Sequence, residues 1–215
     1  MKQIAVLIQK EVVAEWKQRF AINGILLYLL STILVIYISF IEVEPIMWVT
    51  LFWIIILFTA VSAVAKSFMQ ESRWRMLYYY LLVSPVQIIL AKMIYNSILM
   101  CLLSVVGLFF YSVVTGNPIQ HEYYFLTAVS LGSISFSLTF TLMSAIASKA
   151  GNNATLMSIL SFPLIIPVIL LLIKISLASL QNEIEIPVKD FLLMGGLNLI
   201  MLLMAVILFP YLWRD

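Results

Sequence analysis

The amino-acid sequence predicts an all-α integral membrane protein with six transmembrane helices and both termini in the cytoplasm. Hydrophobic residues make up 64% of the 215 residues and charged residues only 10%, whereas soluble domains are about 45–50% apolar and about 25% charged. Six stretches long enough to cross a bilayer contain no Asp, Glu, Lys or Arg. The basic residues also fall almost entirely on one side of these stretches.

The first nineteen residues are predicted to form an amphipathic helix on the membrane surface. Ile4, Ile8, Val12, Trp16 and Phe20 recur at every fourth position, and the lysines and glutamates fall mainly elsewhere. Such a helix lies in the headgroup plane with its apolar stripe toward the lipid. The segment lacks an uninterrupted apolar core and a small-residue cleavage site, so we expect no cleavable signal peptide. The helix serves as an anchor in the simplest interpretation and as a gate or partner contact in the alternative.

Six predicted spans follow. A charge at the bilayer centre costs about 2.5–3.5 kcal/mol on insertion scales, so long charge-free stretches mark the spans. Each stretch has at least 21 residues, and about 20 helical residues cover the roughly 30 Å of hydrocarbon. The 76–91 gap contains the Ser84-Pro85 break and is not expected to span. The spans are predicted at about 20–41, 45–65, 92–115, 123–148, 153–174 and 190–212.

The distribution of basic residues predicts the orientation. Ten of the twelve Lys and Arg residues lie at one end of the predicted bundle, together with both termini. Because basic loops stay in the cytoplasm, this end is predicted to be cytoplasmic. Only Lys174 and Lys189 lie at the opposite end, which is rich in acidic residues. Trp48, Tyr123 and Tyr124 are expected to be aromatic anchors at this outer boundary.

The connection between the second and third spans is predicted to carry a short cytoplasmic helix over residues 67–83. The segment is unusually rich in charged and aromatic residues for this chain, and Pro85 would end the helix. One interpretation is a solvated interfacial loop with tyrosines at the inner boundary. The other is a docking element through which a cytoplasmic partner pushes on the bundle. Its candidate contact residues are Glu71, Arg73, Trp74 and Arg75.

The interiors of the predicted spans contain Ser, Thr and Asn but no ionisable residue well inside any of them. This argues against a proton relay, a voltage sensor or an ion-coupled carrier. The fourth span is rich in Ser and Thr and contains Gly132, and small residues let helices approach closely. We predict that it serves mainly for packing, with a lined pathway as the alternative.

Two prolines near the middle of the fifth span predict a bend. Pro163 and Pro167 lie one turn apart, and each removes a backbone donor and clashes with the preceding turn. The carbonyls of Ile159 and Pro163 thereby lose their usual partners. A static bend is the simplest interpretation, and a moving hinge is the alternative.

The sequence offers little catalytic chemistry, so we predict that the chain is not an enzyme. Cys101 is the only cysteine and His121 the only histidine, which leaves no internal disulfide and no His-pair metal site. His121 could in principle ligate a heme or sense pH. No G-x-x-x-x-G-K-[ST] loop is present, so ATP would have to bind another chain. The net charge of +2 argues against a nucleic-acid partner.

One segment of the fifth span resembles a known family. The sequence LMSILSFPLIIPVIL, residues 156–170, resembles the fifth-helix signature S-I-L-x-x-P-L-x-I-P of the cytochrome c maturation protein B family (CcmB, heme exporter protein B). The segment LLVSPVQIILAK, residues 81–92, is similar to that family's approach to its third helix. The matching residues of the signature are Ser158, Ile159, Leu160, Pro163, Leu164, Ile166 and Pro167.

The resemblance implies a single permease domain over residues 1–215, with an ABC-2-type permease-like bundle in the bacterial inner membrane. It implies a separate CcmA-like ATPase that alone binds ATP, CcmC-like and CcmD-like membrane subunits, and a CcmE-like heme chaperone outside. Heme is implied as a possible cargo, with no covalently bound cofactor. The 67–83 helix would be the coupling helix that docks on the ATPase.

Two other functions remain open at this point. An ABC-2-type permease that exports another cargo, such as a lipid, glycan or drug, would share the six-helix plan. A membrane scaffold that holds partners together without transport would also fit. The signature in the fifth span favours cytochrome c maturation over both.

Overall fold

Long apolar helices form nearly all of the described chain. The computed structural model describes residues 2–17, 19–40, 42–64, 66–69, 83–150, 154–181 and 188–214. No strand occurs in these ranges, which confirms the all-α prediction. The helices are α1 (Lys2–Lys17), α2 (Arg19–Ser39), α3 (Pro45–Val64), α4 (Lys66–Met69), α5 (Pro85–Thr115), α6 (Glu122–Lys149), α7 (Ala154–Ala178) and α8 (Val188–Arg214).

Six of these helices, α2, α3 and α5 to α8, are long and apolar enough to cross a membrane, as the sequence predicts. Helix α5 begins at Pro85, and its N-terminal part therefore extends beyond the third span predicted at about 92–115. Ser84 is extended, and its backbone N–H donates to Gln87 Oε1 at 3.3 Å. Proline is favourable in the first helical turn, where its missing N–H is not needed. Lys92 therefore lies inside α5 rather than at its start.

The bundle has two chemically different ends. We call the end that contains α1, α4 and the first turns of α5 the basic end. The end that contains residues 42–44, 116–121 and 179–181 is the acidic end. Consecutive long helices run in opposite directions between them, so Trp48 at the start of α3 contacts Thr115 at the end of α5. Likewise, Lys92 near the start of α5 contacts Ser67 in α4.

Helix α6 lies at the centre of the bundle and packs against α3, α4, α5, α7 and α8. Its small side chains make this position possible, which is the packing role that the sequence predicts. Ser130 is exposed, but the following polar side chains of α6 are buried. These buried residues are Ser133, Ser135, Ser137, Thr139, Thr141 and Ser144.

Trp48 lies at the acidic end of the bundle, as the sequence predicts, but its side chain packs inside the bundle and does not form an anchor on the lipid-facing surface. Trp48 is only 1% exposed, and its ring lies 4.7 Å from that of Tyr111 and 5.8 Å from that of Phe125, measured between centroids. Its Nε1–H donates to Thr115 Oγ1 at 2.8 Å. A buried indole needs such a hydrogen-bond acceptor, and the end of α5 supplies it. Tyr123, by contrast, is 87% exposed.

Backbone contacts join two connections at the acidic end. The backbone N–H groups of Gln120 and His121 both donate to the Ser179 carbonyl, at 3.1 Å. Lys174 lies at this end too, and its Nζ is 2.9 Å from Asp190 Oδ1. These contacts fix the start of α6 against the end of α7.

Candidate functional site

The predicted contact residues Glu71, Arg73, Trp74 and Arg75 lie outside the described residues. The structure does describe the chain on both sides of them. Helix α4 precedes this segment, and Val83 and Ser84 lead from it into α5. The candidate functional site is therefore the basic end of the bundle, where the chain before residue 70 and the chain after residue 82 both contact the long helices.

Lys92 is the central residue of this attachment. Its side chain is only 3% exposed, and its Nζ donates to the Ser67 carbonyl of α4 at 2.6 Å. The same Nζ lies 3.2 Å from Glu11 Oε1 of α1 and 4.8 Å from the centre of the Phe68 ring. A buried ammonium is costly unless a counter-ion and hydrogen-bond acceptors surround it. Here, residues from α1 and α4 supply both.

Helix α1 turns its acidic residues toward the bundle, a contact that the amphipathic pattern of the sequence does not predict. Glu11 pairs with Lys92 and also with Lys10, whose Nζ lies 2.9 Å from Glu11 Oε1. Val12 and Val13 are exposed, while Ile4 is half-buried. The apolar stripe read from the sequence is therefore divided between the bundle and the outer surface.

The two carboxyl groups of α1 occupy different electrostatic environments. Burial alone would raise the pKa of Glu11, but the charges of Lys92 and Lys10 outweigh burial and hold this pKa below its ordinary value. Burial and the neighbouring Glu11 charge raise the pKa of Glu15, which hydrogen-bonds to Tyr95. Thus Glu11 is the ionised partner of Lys92. Glu15, one turn further along α1, adds a second contact with α5 through Tyr95.

Further hydrogen bonds attach α4 to the neighbouring helices. Asn96 of α5 donates through Nδ2 to Ser67 Oγ at 3.0 Å and to Thr141 Oγ1 of α6 at 2.8 Å. The backbone N–H of Phe68 donates to Ser144 Oγ of α6 at 3.3 Å. The Phe68 ring also packs against Phe209 of α8, with 5.3 Å between centroids. Helix α4 is thus fastened to three of the long helices.

Sequence reasoning missed this cluster for an identifiable reason. The charge-free stretch begins at Met93, so Lys92 marks the edge of a span, where a lysine can extend to the interface. Pro85, seven residues before Lys92, was the sequence feature that could have revealed the buried position of Lys92. Pro85 in the first helical turn places Lys92 about two turns inside the helix.

The two prolines of the signature lie within α7, which continues through both of them. Their side chains are exposed on the outer face of the bundle, next to Ile159 and Ile166. The described structure does not bring Pro163 or Pro167 into contact with the cluster around Lys92. The bend in α7 stays a prediction.

His121 is held in a structural position at the start of α6. Its Nε2 lies 3.1 Å from the Gln181 carbonyl, and its ring meets Tyr124 edge-on at 6.2 Å between centroids. The described ranges contain no group of three or more His, Cys, Asp or Glu residues that could hold a metal ion. His121 thus contacts the chain segment that follows α7, and heme ligation by His121 stays a prediction.

A comparison with protein-family models identifies the family to which this chain belongs. The family model described as CcmB protein matches residues 2–211, nearly the whole chain. The match includes α1, the cluster around Lys92, the segment between α4 and α5, and the signature of α7. A search of curated proteins gives no match. The chain therefore belongs to the CcmB family, the ABC-transporter permease components of cytochrome c maturation.

Proposed function

We propose that this chain couples ATP hydrolysis by a separate CcmA-like ATPase to heme export or to release of a heme-loaded chaperone. Family membership supports the permease role. The observation that carries the coupling proposal is the buried Lys92, which joins α1, α4 and α5 at the base of the segment that would contact the ATPase. In this proposal the chain binds no ATP itself.

The attachments on both sides of residues 70–82 suggest how movement would pass into the bundle. On one side, Ser67 is bonded to Lys92 and Asn96. On the other side, Ser84 leads directly into the first turn of α5. A displacement of the segment would therefore move α4 and α5 together, and the Asn96–Thr141 bond would pass it to α6. Coupling through packed, hydrogen-bonded elements needs contiguous contacts of this kind.

The remaining assignments follow from the family and the charge distribution. We infer that both termini and the basic end face the cytoplasm of a bacterium, with the chain in the inner membrane. The partners would be CcmC-like and CcmD-like membrane subunits and, on the outer side, a CcmE-like heme chaperone. Heme is the proposed cargo of the complex.

Charge reversal tests the coupling segment directly. We expect Arg73→Glu combined with Arg75→Glu to lower ATPase copurification about tenfold, because two attractive contacts become repulsive. Holo-cytochrome c, measured by heme staining, should fall with it, while apoprotein secretion continues. Lys149→Glu is the control, since Lys149 is an exposed basic residue at the same end of the bundle.

Two results would contradict this coupling role. One is unchanged copurification and ATPase activity in the doubly reversed variant. The other is labelling of residues 73–75 from outside intact cells, which would place the segment on the wrong side of the membrane for an ATP-hydrolysing partner.

The prolines of α7 provide a separate test. Changing Pro163 and Pro167 to Ala restores two backbone donors, so we expect unfolding free energy in detergent to rise by about 1–3 kcal/mol. If the bend is needed for transport, heme staining should nevertheless fall. The matched control is Pro210→Ala, which changes a proline inside α8 and outside the signature. Full heme staining in the Pro163/Pro167 variant would make the bend purely architectural.

A further inference from the structure

A trough lies between α5 and α6 near the acidic end, away from the cluster around Lys92. Its volume is about 490 Å³. Val105, Phe109 and Val113 follow one another along one face of α5, and Leu126 of α6 forms part of the opposite wall. All four side chains are exposed on the surface of the bundle. In a membrane, the trough therefore opens sideways into lipid.

The length of the trough matches the depth of one bilayer leaflet. Val105 and Val113 are eight residues apart, which corresponds to about 12 Å along a helix. Half of a roughly 30 Å hydrocarbon core is about 15 Å. The apolar walls thus run from near the membrane boundary toward the middle of the bilayer, which is the path of an acyl chain.

Polar groups gather only at the acidic end of the trough. Ser112, Asn117, Glu122 and Tyr123 line this end. The Asn117 Nδ2 group lies 3.5 Å from Glu122 Oε1, and no basic residue in the described ranges pairs with Glu122. The trough is therefore apolar along its length and carries a carboxylate at its mouth, which is the polarity pattern of a lipid with a cationic headgroup.

The charge at the mouth discriminates among headgroups. Glu122 is the only charged residue that lines the described trough, since Lys189 is not part of its lining and Lys174, at the same end of the bundle, pairs with Asp190. Anionic headgroups are disfavoured beside this carboxylate. A primary ammonium can both neutralise Glu122 and donate hydrogen bonds to it, and such charge-assisted bonds are stronger than neutral ones. A choline ammonium carries no N–H to donate.

We propose that this trough is a binding site for one phosphatidylethanolamine molecule, with an acyl chain against Val105, Phe109 and Val113 and its ammonium on Glu122. The site is independent of the proposed coupling function. It would fix a lipid between α5 and α6 in the leaflet that contacts the acidic end.

Native mass spectrometry of the purified full chain tests the site. The chain is equilibrated with equal amounts of phosphatidylethanolamine, phosphatidylcholine and phosphatidylglycerol that share the same acyl chains. We expect one retained lipid per chain, with phosphatidylethanolamine preferred about tenfold over phosphatidylcholine. Glu122→Gln should abolish this preference. Glu44→Gln, which makes the same charge change outside the trough, should leave it intact.

A second variant tests the apolar part. Val113 is 67% exposed, so Val113→Trp can fill the trough without disturbing the interior. It should lower retention of all three lipids. Equal retention of the three lipids by the unaltered chain, or an unchanged preference in Glu122→Gln, would overturn the proposal. A photoreactive residue at position 109 that labels a protein subunit in membranes, rather than lipid, would also overturn it.

Discussion

Replacing Glu11 by Gln is expected to lower the unfolding free energy by about 2–3 kcal/mol, because Lys92 then keeps its buried charge without this counter-ion. Loss of the partner of a fully buried charge typically costs about 3–5 kcal/mol. The effect should be smaller here because the Glu15 carboxyl group also interacts with Lys92. Thermal or denaturant unfolding of the purified chain in detergent measures the change.

The double variant separates structural from functional effects. Lys92→Met removes the buried charge and keeps an unbranched side chain of similar length, so adding it to Glu11→Gln should recover most of the lost stability. We expect this double variant to fold but to show less heme staining, because the Lys92 contacts that join α1 and α4 to α5 are gone. Glu44→Gln is the control, since a surface change of this kind should stay within about 0.5 kcal/mol. Equal instability of the single and double variants would show that the loss in Glu11→Gln does not come from an unpaired charge on Lys92.

The six long helices could be predicted because their signal is local and strong. A stretch of more than twenty residues without charge has few alternatives to a membrane span. The start of α5 was harder to predict, since it depends on Ser84 and Pro85 rather than on hydropathy. Lys92 was missed for the same reason. Its burial depends on Glu11, which is far away in sequence, and on a carbonyl in α4 that no sequence pattern marks.

The orientation of side chains could be predicted less well than the helices that carry them. In membrane helices nearly every position is apolar, so the pattern does not distinguish a lipid-facing side from a buried one. Trp48 illustrates this limit, because tryptophan is common at membrane boundaries, yet here the end of α5 accepts its hydrogen bond. In α6, by contrast, the concentration of small polar residues was sufficient to predict close packing.

That close packing leads to the second large effect, at Gly132. A Cβ atom at this position would lie 2.7 Å from Trp53 Cη2 and Cζ3 and 2.9 Å from Leu172 Cδ1. We therefore expect Gly132→Ala to lower the unfolding free energy by about 2–3 kcal/mol, as overpacking of a closely filled interior does. Intrinsic helix propensity would favour Ala over Gly by about 1 kcal/mol, so any net loss understates the clash.

Trp53 cannot easily move to relieve this clash. It is fully buried, its Nε1–H donates to Ser176 Oγ of α7 at 2.9 Å, and its ring meets that of Phe136 edge-on at 6.2 Å between centroids. A shift of the indole would therefore break a buried hydrogen bond between α3 and α7. The matched control is Gly195→Ala in α8, where a Cβ atom would meet nothing within 4 Å. This variant should be neutral or slightly more stable.

The comparison of these two glycines tests whether α6 is the rigid centre of the bundle. If Gly132→Ala unfolds at the same denaturant concentration as Gly195→Ala, then α3 and α7 can separate from α6 at little cost. In that case α6 could not pass a displacement from the Asn96–Thr141 contact to α3 and α7. A large difference, partly reversed by adding Trp53→Phe to Gly132→Ala, would show that the Trp53 side chain holds α3 tightly against α6.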